Sequence, residues 1–527
     1  MTAIGAGSVE YLLRGCGCAE HEHAPKLDLA LEHDHQHGHK QELARGEAES
    51  RVRAGADYLV RSTQGEPGGV WWGEGLDMVG FEAGSGASAD DVRAVFGQLR
   101  HPSSTENDPV FLGAKPRIYR SVEERIAAAL AAEPDASEER IWEIRNTIGA
   151  DGRKAVAYYD LTFSAPKSVS VYYAGLLAAG RYAEAERLLE VHRAAVDKAM
   201  AFVQTQAAYT RTGYHGKTLD GRSVGKYEKG TGLVGIRFDH RTSRAREPQI
   251  HAHFAVLNRL VTCSDGKIRA LDGRGFAPIK QGADAIYLQD LERGMAAEFE
   301  VVFVLRPDGV AREIMGVDQR LLCEASSRRG QVLERSEELV AEYRARWGHE
   351  PGPAAVKSIR QAAALETRAD KTSLSPEEQI GNWNGTRLGR LAAMFTDTAE
   401  RCRAVVRGVH PDQQGYEMRA REQVLAEAVV AVQAKYATWT VGNLIMAIKV
   451  QLDQTPGVGG SAPELALEVL REGSRYGVVE VSAPDPGAVP VELQRADGKS
   501  DFRAPNDDRY ATSAQLRTEL GIVAAAR

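Results

Sequence analysis

The stretch IHAHFAV at residues 250–256 sets His251 and His253 one residue apart, and RFDHRTSR supplies a further imidazole, His240, shortly before. In an extended strand, side chains two apart face the same side. His251 and His253 therefore project together, with Ala252 turned to the opposite face. His240 joins them if residues 233–239 and 250–258 pair as a hairpin. Three neutral imidazoles suit Zn, Mn, Fe, Co or Ni and leave coordination positions open for water or substrate. Magnesium is less natural by ligand type, although phosphate oxygens can complete its shell. The plainer alternative is a set of ordinary polar residues at a sheet edge.

A histidine-bound metal flanked by arginines points to a phosphate substrate. Arg241, Arg244 and Arg246 fall in the loop between the two strands, where planar guanidinium groups can grip phosphate oxygens. From Arg211 to Lys280 there are 14 Lys or Arg against 6 Asp or Glu, although the chain as a whole carries a net charge of −7. A binding face needs only local positive charge, and a solvated basic face is the alternative. Asp160 is expected at the end of a strand over 154–163. A carboxylate there can accept a proton from the second nitrogen of a ligand histidine, or act as a base; a surface cap is the alternative. Residue types and spacing thus reach a metal site for phosphate chemistry and stop short of a nucleophile.

These side chains need a sheet to hold them. KAVAYYDLTF (154–163), LVGIRF and IHAHFAVLNRLV read as strands, the last followed by a hairpin signal at Ser264-Asp265-Gly266. SVEERIAAALAAE, ASEERIWEIRNTI, the segment after Ser164 and Pro166, and residues 183–207, 283–301 and 335–347 read as helices. AEFEVVFVLRPDG reads as a strand and turn. Beyond about 350, helical runs occupy 354–368 and 414–452, and a Pro/Gly/Asp-rich tail carries strand candidates in YGVVEV and AVPVELQ. This mixture predicts an α+β fold with an antiparallel sheet. Residues 17–50 hold a His-rich tract, EHEHAPKLDLALEHDHQHGHK, read as an exposed insertion with metal buffering as its alternative role.

The composition, 43% hydrophobic and 26% charged, fits a soluble multidomain chain. No run of eighteen apolar residues and no signal peptide are present, so membrane insertion is not expected. Five cysteines argue against a disulfide framework. No G-x-x-x-x-G-K-[ST] and no G-x-G-x-x-G opening a strand–helix unit occur, so no nucleotide cofactor is expected.

YYDLTFSAPKSVS (158–170), FDHRTSRAREPQIHAHFAVLN (238–258) and GKIRALDGRGFAPIKQGADAIYLQDLERGMAAEFE, in that order, closely resemble the relaxase domain of the MobF conjugative relaxase–helicases, a class of the HUH endonucleases. The resemblance spans about 1–300 and weakens over 300–527. It implies a palm-like antiparallel sheet packed by helices. It also implies site- and strand-specific nicking of plasmid or integrative-element DNA at a transfer origin, through tyrosine attack and a 5′-phosphotyrosyl intermediate. His240, His251 and His253 match the ligands of a divalent metal (Mg, Mn or Zn), and Asp160 matches the residue that orients or activates the site. Lys167, Arg241, Arg244 and Arg246 become candidate phosphate contacts.

The family carries two tyrosine clusters near its N-terminus. Tyr11 in SVEYLL and Tyr58 in ADYLV fall in them, with Leu12 and Leu59 where second tyrosines usually stand. VWWGEG (70–75) matches the Trp/Gly segment that follows. Tyr11 is expected to make the first attack and Tyr58 to serve a second transfer or support the site. The implied organisation is a relaxase domain over 1–310, a mainly helical extension over 311–435 and a small mixed region over 436–527. That last region resembles the lead-in to a helicase, which the chain lacks as a helicase-free relative or as a truncated or split product. Expected partners are origin single-stranded DNA, accessory transfer proteins, a coupling protein and a separate helicase. The expected location is the cytoplasm, with transfer alongside DNA into a recipient cell. Two other readings stand beside this one: an origin-binding accessory protein without nicking activity, and a metal phosphodiesterase that uses water.

Overall fold

The structure, a computed structural model, describes residues 2–5 and most of 68–526; residues 6–67, 115–121, 149–155, 214–224, 307–311, 368–377 and 409–420 are among those outside it. The N-terminal clusters with Tyr11 and Tyr58, the His-rich tract and much of the helix expected from ASEERIWEIRNTI lie outside the described residues.

Alternation of large apolar and polar residues organises the central sheet. Its strands are β1 (Thr2–Gly5), β2 (Val70–Trp72), β3 (Val156–Ser164), β4 (Gly235–Thr242) and β5 (Pro248–Leu257). They lie in the order β1-β3-β5-β4-β2, and every neighbouring pair is antiparallel. Period-two alternation sends Leu161, Phe163, Ala252, Phe254 and Val256 to one face, where they join the main core. Three helices supply much of the rest of that core: α1 (Lys167–Ala178), α2 (Tyr182–Ala207) and α3 (Phe276–Phe299). The opposite face is apolar at one end only. There Tyr158, Ile236, Phe238, Ala255 and Leu257 pack with Trp71, Phe96 and Leu112 in a second core. At its other end the same face turns polar.

Several boundaries differ from the sequence reading for local reasons. β3 runs on to Ser164, so Asp160 sits mid-strand; Thr162 and Ser164 still pair with His253 and His251. The helix expected from 283 starts at Phe276, and it tolerates Pro278 because the first turn has no N–H partner to lose. The run over 414–452 contains two helices, Arg421–Lys435 and Val441–Gln454, separated at Trp439 and restarted by a Thr440–Asn443 capping box. The described residues of AVPVELQ form no strand. Pro490 leads into a 3-10 turn over Val491–Leu493.

Beyond the sheet, helices α4 (Ser327–Trp347), α5 (Arg387–Gly408) and α6 (Val441–Gln454) follow in order. Ala392, Phe395 and Ala399 of α5 belong to the main core, which therefore draws on residues well past 310. A third core around Trp439, Leu444 and Leu465 takes in Ala285 of α3. A two-stranded ribbon, Val478–Glu480 with Tyr510–Thr512, and a helix over Ser513–Ala525 follow in the C-terminal region.

Candidate metal and phosphodiester site

The polar end of the sheet is where the histidines meet. β4 and β5 form the hairpin expected from sequence, with His240 directly opposite His251. His240, His251 and His253 share the face that carries the second core, just beyond its apolar end. Their ring centroids are 5.1 Å (His240–His251), 5.4 Å (His240–His253) and 5.1 Å (His251–His253) apart. His240 is buried, and the other two are partly exposed.

Two of the rings have fixed protons. His253 Nδ1 lies 2.9 and 3.1 Å from the two carboxylate oxygens of Asp160. His251 Nδ1 lies 2.8 Å from the backbone carbonyl of Gln249. Carbonyls and ionised carboxylates only accept, so both Nδ1 atoms carry the proton and Nε2 carries the lone pair. Thr162 Oγ1 lies 3.1 Å from His253 Nδ1. Sequence reasoning did not single it out, although it shares a strand face with Asp160 at the i, i+2 spacing.

The grouping stops short of a formed ligand set. Among the described residues, no three His, Cys, Asp or Glu side chains are arranged so that they could hold a metal ion as they stand. The expectation of a three-histidine metal site is corrected to that extent: the rings assemble, and their nitrogens are not yet gathered as ligands.

The expected phosphate contacts separate from one another. Lys167 Nζ donates to the carbonyl of Pro248 at 3.0 Å, and burial pushes its pKa down to about 8 against the pull of Glu247 and Glu313. It is tied into the fold rather than extended toward a ligand. Arg244 lies outside the described residues, Arg241 lies within β4 rather than in the expected loop and is half-exposed, and Arg246 is exposed in the turn. Several of the basic residues over 211–280 have local partners. Arg237 pairs with Asp197 and Asp239, Arg269 with Asp265 and Arg274 with Asp272. Arg259 is buried and donates to the carbonyls of Leu112, Asn258 and Ala114. The net sequence count overstated the charge available to a ligand.

Residues 40–390, 351 of the 527 in the chain, match the TrwC relaxase family. The chain belongs to that family. The multifunctional conjugation protein TraI of Escherichia coli strain K12 is 29% identical over 296 residues, and a second Escherichia coli TraI is 30% identical over 299. Each alignment covers 54% of this chain and 15% of the relative, so the chain spans a small part of their length. Among solved structures, TrwC relaxase with oriT DNA in its metal-bound form is 22% identical, with a TM-score of 0.42. TrwC with a 27-mer DNA holding the recognition hairpin and cleavage site is 24% identical, also at 0.42. Both alignments cover 64% of this chain and 95% of the other. The histidines, Asp160 and the hairpin between them all lie inside the TrwC-family match.

Proposed function

We propose that this chain is a metal-dependent relaxase that nicks one DNA strand at a transfer origin through a tyrosine, leaving a 5′-phosphotyrosyl link. The carrying observation is the convergence of His240, His251 and His253, with Asp160 on His253, inside a chain of the TrwC relaxase family. The rings suit a divalent ion, with Mg, Mn and Zn as candidates. His240, His251 and His253, with ring centroids 5.1–5.4 Å apart, would hold the ion.

When bound, the ion supplies stabilisation of charge on the non-bridging phosphate oxygens. Tyr11 is proposed to make the first attack: its Oη forms a bond to phosphorus, the P–O3′ bond breaks, and a 3′-hydroxyl leaves with a proton. Because one phosphoester replaces another, rejoining needs no nucleotide. Asp160 orients His253. Arg241, Arg244 and Arg246 are proposed phosphate contacts, whereas the tether of Lys167 to Pro248 weakens its candidacy. Single-stranded origin DNA is the proposed substrate, and Tyr58 the proposed agent of a second transfer. The relaxase is proposed to occupy 1–310, with the helical region that follows contributing Ala392, Phe395 and Ala399 to its core and the mixed region beyond it. Accessory transfer proteins, a coupling protein and a separate helicase are proposed partners. No helix among the described residues is long and apolar enough to cross a membrane.

The test is a supercoiled plasmid carrying the cognate origin, incubated with the chain and Mn²⁺, followed by mass spectrometry of the DNA-linked peptide. The expected result is relaxation with DNA attached at Tyr11. Tyr11→Phe should form no adduct, and Tyr58→Phe should retain initial cleavage, since a phenyl ring fills the space without an attacking oxygen. Attachment at Tyr58 would reverse the assignment. Binding without cleavage would favour the accessory role, and a free 5′-phosphate with repeated turnover would favour the water-using phosphodiesterase.

A further inference from the structure

The turn that joins the two histidine strands is gripped from far away in sequence. Arg246 has a left-handed backbone, φ +59°, which a residue with a Cβ adopts at a cost of about 1 kcal/mol. Its carbonyl accepts the indole N–H of Trp383 at 2.8 Å, and Trp383 is 3% exposed in the main core. Glu247 follows, 7% exposed. Its Oε1 accepts the backbone N–H of Ser327 at 2.6 Å and also the Ser327 hydroxyl. Ser327 opens α4, so its N–H has no partner within the helix, and a carboxylate is favoured there. Pro248, the first residue of β5, is held through its carbonyl by Lys167. Three consecutive residues thus have partners 137, 80 and 81 positions away.

We propose that Glu247, Ser327 and Trp383 form a positioning clamp by which the helical region after the sheet sets the spacing of His240 against His251. The inference rests on the metal reading above. The register between β4 and β5 is irregular between His240 and Thr242, immediately beside a histidine. The ladder alone therefore does not fix how the two strands leave the turn. Ser243 closes the loop onto Glu247, its N–H donating to the Glu247 carbonyl at 2.8 Å. The Glu247 side chain then fastens the closed loop to α4. Ligand sets tolerate errors of only about 0.2 Å in metal–donor distance, so a turn free to shift would loosen the site without unfolding the sheet.

The test uses the full chain without DNA and reads Mn²⁺ affinity by electron paramagnetic resonance of the unbound ion. Trp383→Phe keeps a six-membered aromatic ring and deletes the N–H donor along with the pyrrole part of the indole; Glu247→Gln keeps the shape and removes the charge. Both are expected to weaken Mn²⁺ binding about tenfold, as loss of ligand-supporting contacts does. Val429→Ala, in the C-terminal core, is the stability control and should leave Mn²⁺ affinity unchanged. Ser327→Ala, which deletes only a hydroxyl, stands in if either clamp variant fails to melt cooperatively. Parental affinity in the clamp variants would overturn the clamp while leaving the metal reading intact. Failure of the parental chain to bind Mn²⁺ would bring down both.

Discussion

Asp160 does for His253 what the Gln249 carbonyl does for His251: it accepts from Nδ1 and leaves the lone pair on Nε2. Asp160→Asn keeps the size of the side chain but offers an amide that can donate to Nδ1 and stabilise the opposite tautomer. The expected outcome is a 10- to 100-fold loss in Mn²⁺ affinity and in origin cleavage, with little change in melting temperature. Parallel metal titration and nicking assays check this, and parental behaviour in both would reduce Asp160 to a strand residue with a neighbour. The histidine pair was legible in the sequence because strand geometry converts an i, i+2 spacing into a shared face. His240 became legible once the two apolar runs were read as a hairpin. Glu247, Ser327 and Trp383 were not, because each acts on a partner at least 80 positions away and no local pattern marks it.

At the scale of elements, the strands and long helices were legible from periodicity, and their packing was not. α1 is buried along almost its whole length, from Ser168 to Leu177, so its sequence offers no amphipathic stripe from which to infer neighbours. One neighbour is α5, and the approach is close at Gly175. A methyl there would overlap Thr396 Oγ1 and the Ala392 carbonyl. Gly175→Ala is therefore expected to destabilise the chain by about 1–3 kcal/mol through overpacking, despite the better helix propensity of alanine. The denaturant midpoint should fall accordingly, read by tryptophan fluorescence. A stabilised variant would mean that α5 does not seat against α1 as described. Tyr173 on α1 also stacks edge-on with Trp383, ring centroids 6.5 Å apart, so this packing and the turn clamp share a boundary.

For the whole molecule, composition misleads in two ways. Part of the local basic excess near the histidines is turned inward, as at Arg259, or paired outside the stretch, as Arg237 is with Asp197, and the C-terminal region, which reads as a mere lead-in, is built into the rest. Tyr227 donates its backbone N–H to the Asp501 carbonyl at 2.6 Å, and Asn506 donates to the Gln206 carbonyl at 2.7 Å. A further tie is ionic. Lys449 of α6, 3% exposed, reaches Glu292 of α3 at 2.7 Å and Asp453 at 2.6 Å. Arg312 also pairs with Glu292 and lies 3.2 Å from Asp453. Burial pushes the Glu292 pKa up, and Lys449 and Arg312 pull it back. Such a cluster contributes little net stability while whole, because desolvation offsets the attraction, but removing one member leaves buried charge uncompensated. Lys449→Met fills similar volume and leaves two carboxylates to share Arg312 alone, at an expected cost of about 3 kcal/mol. The damage should concentrate where α6 meets α3. Limited proteolysis is expected to release the C-terminal region faster than from the parental chain, and the effect should shrink at low pH, where Glu292 is neutral. Unchanged proteolysis would mean that the third core alone holds the C-terminal region in place.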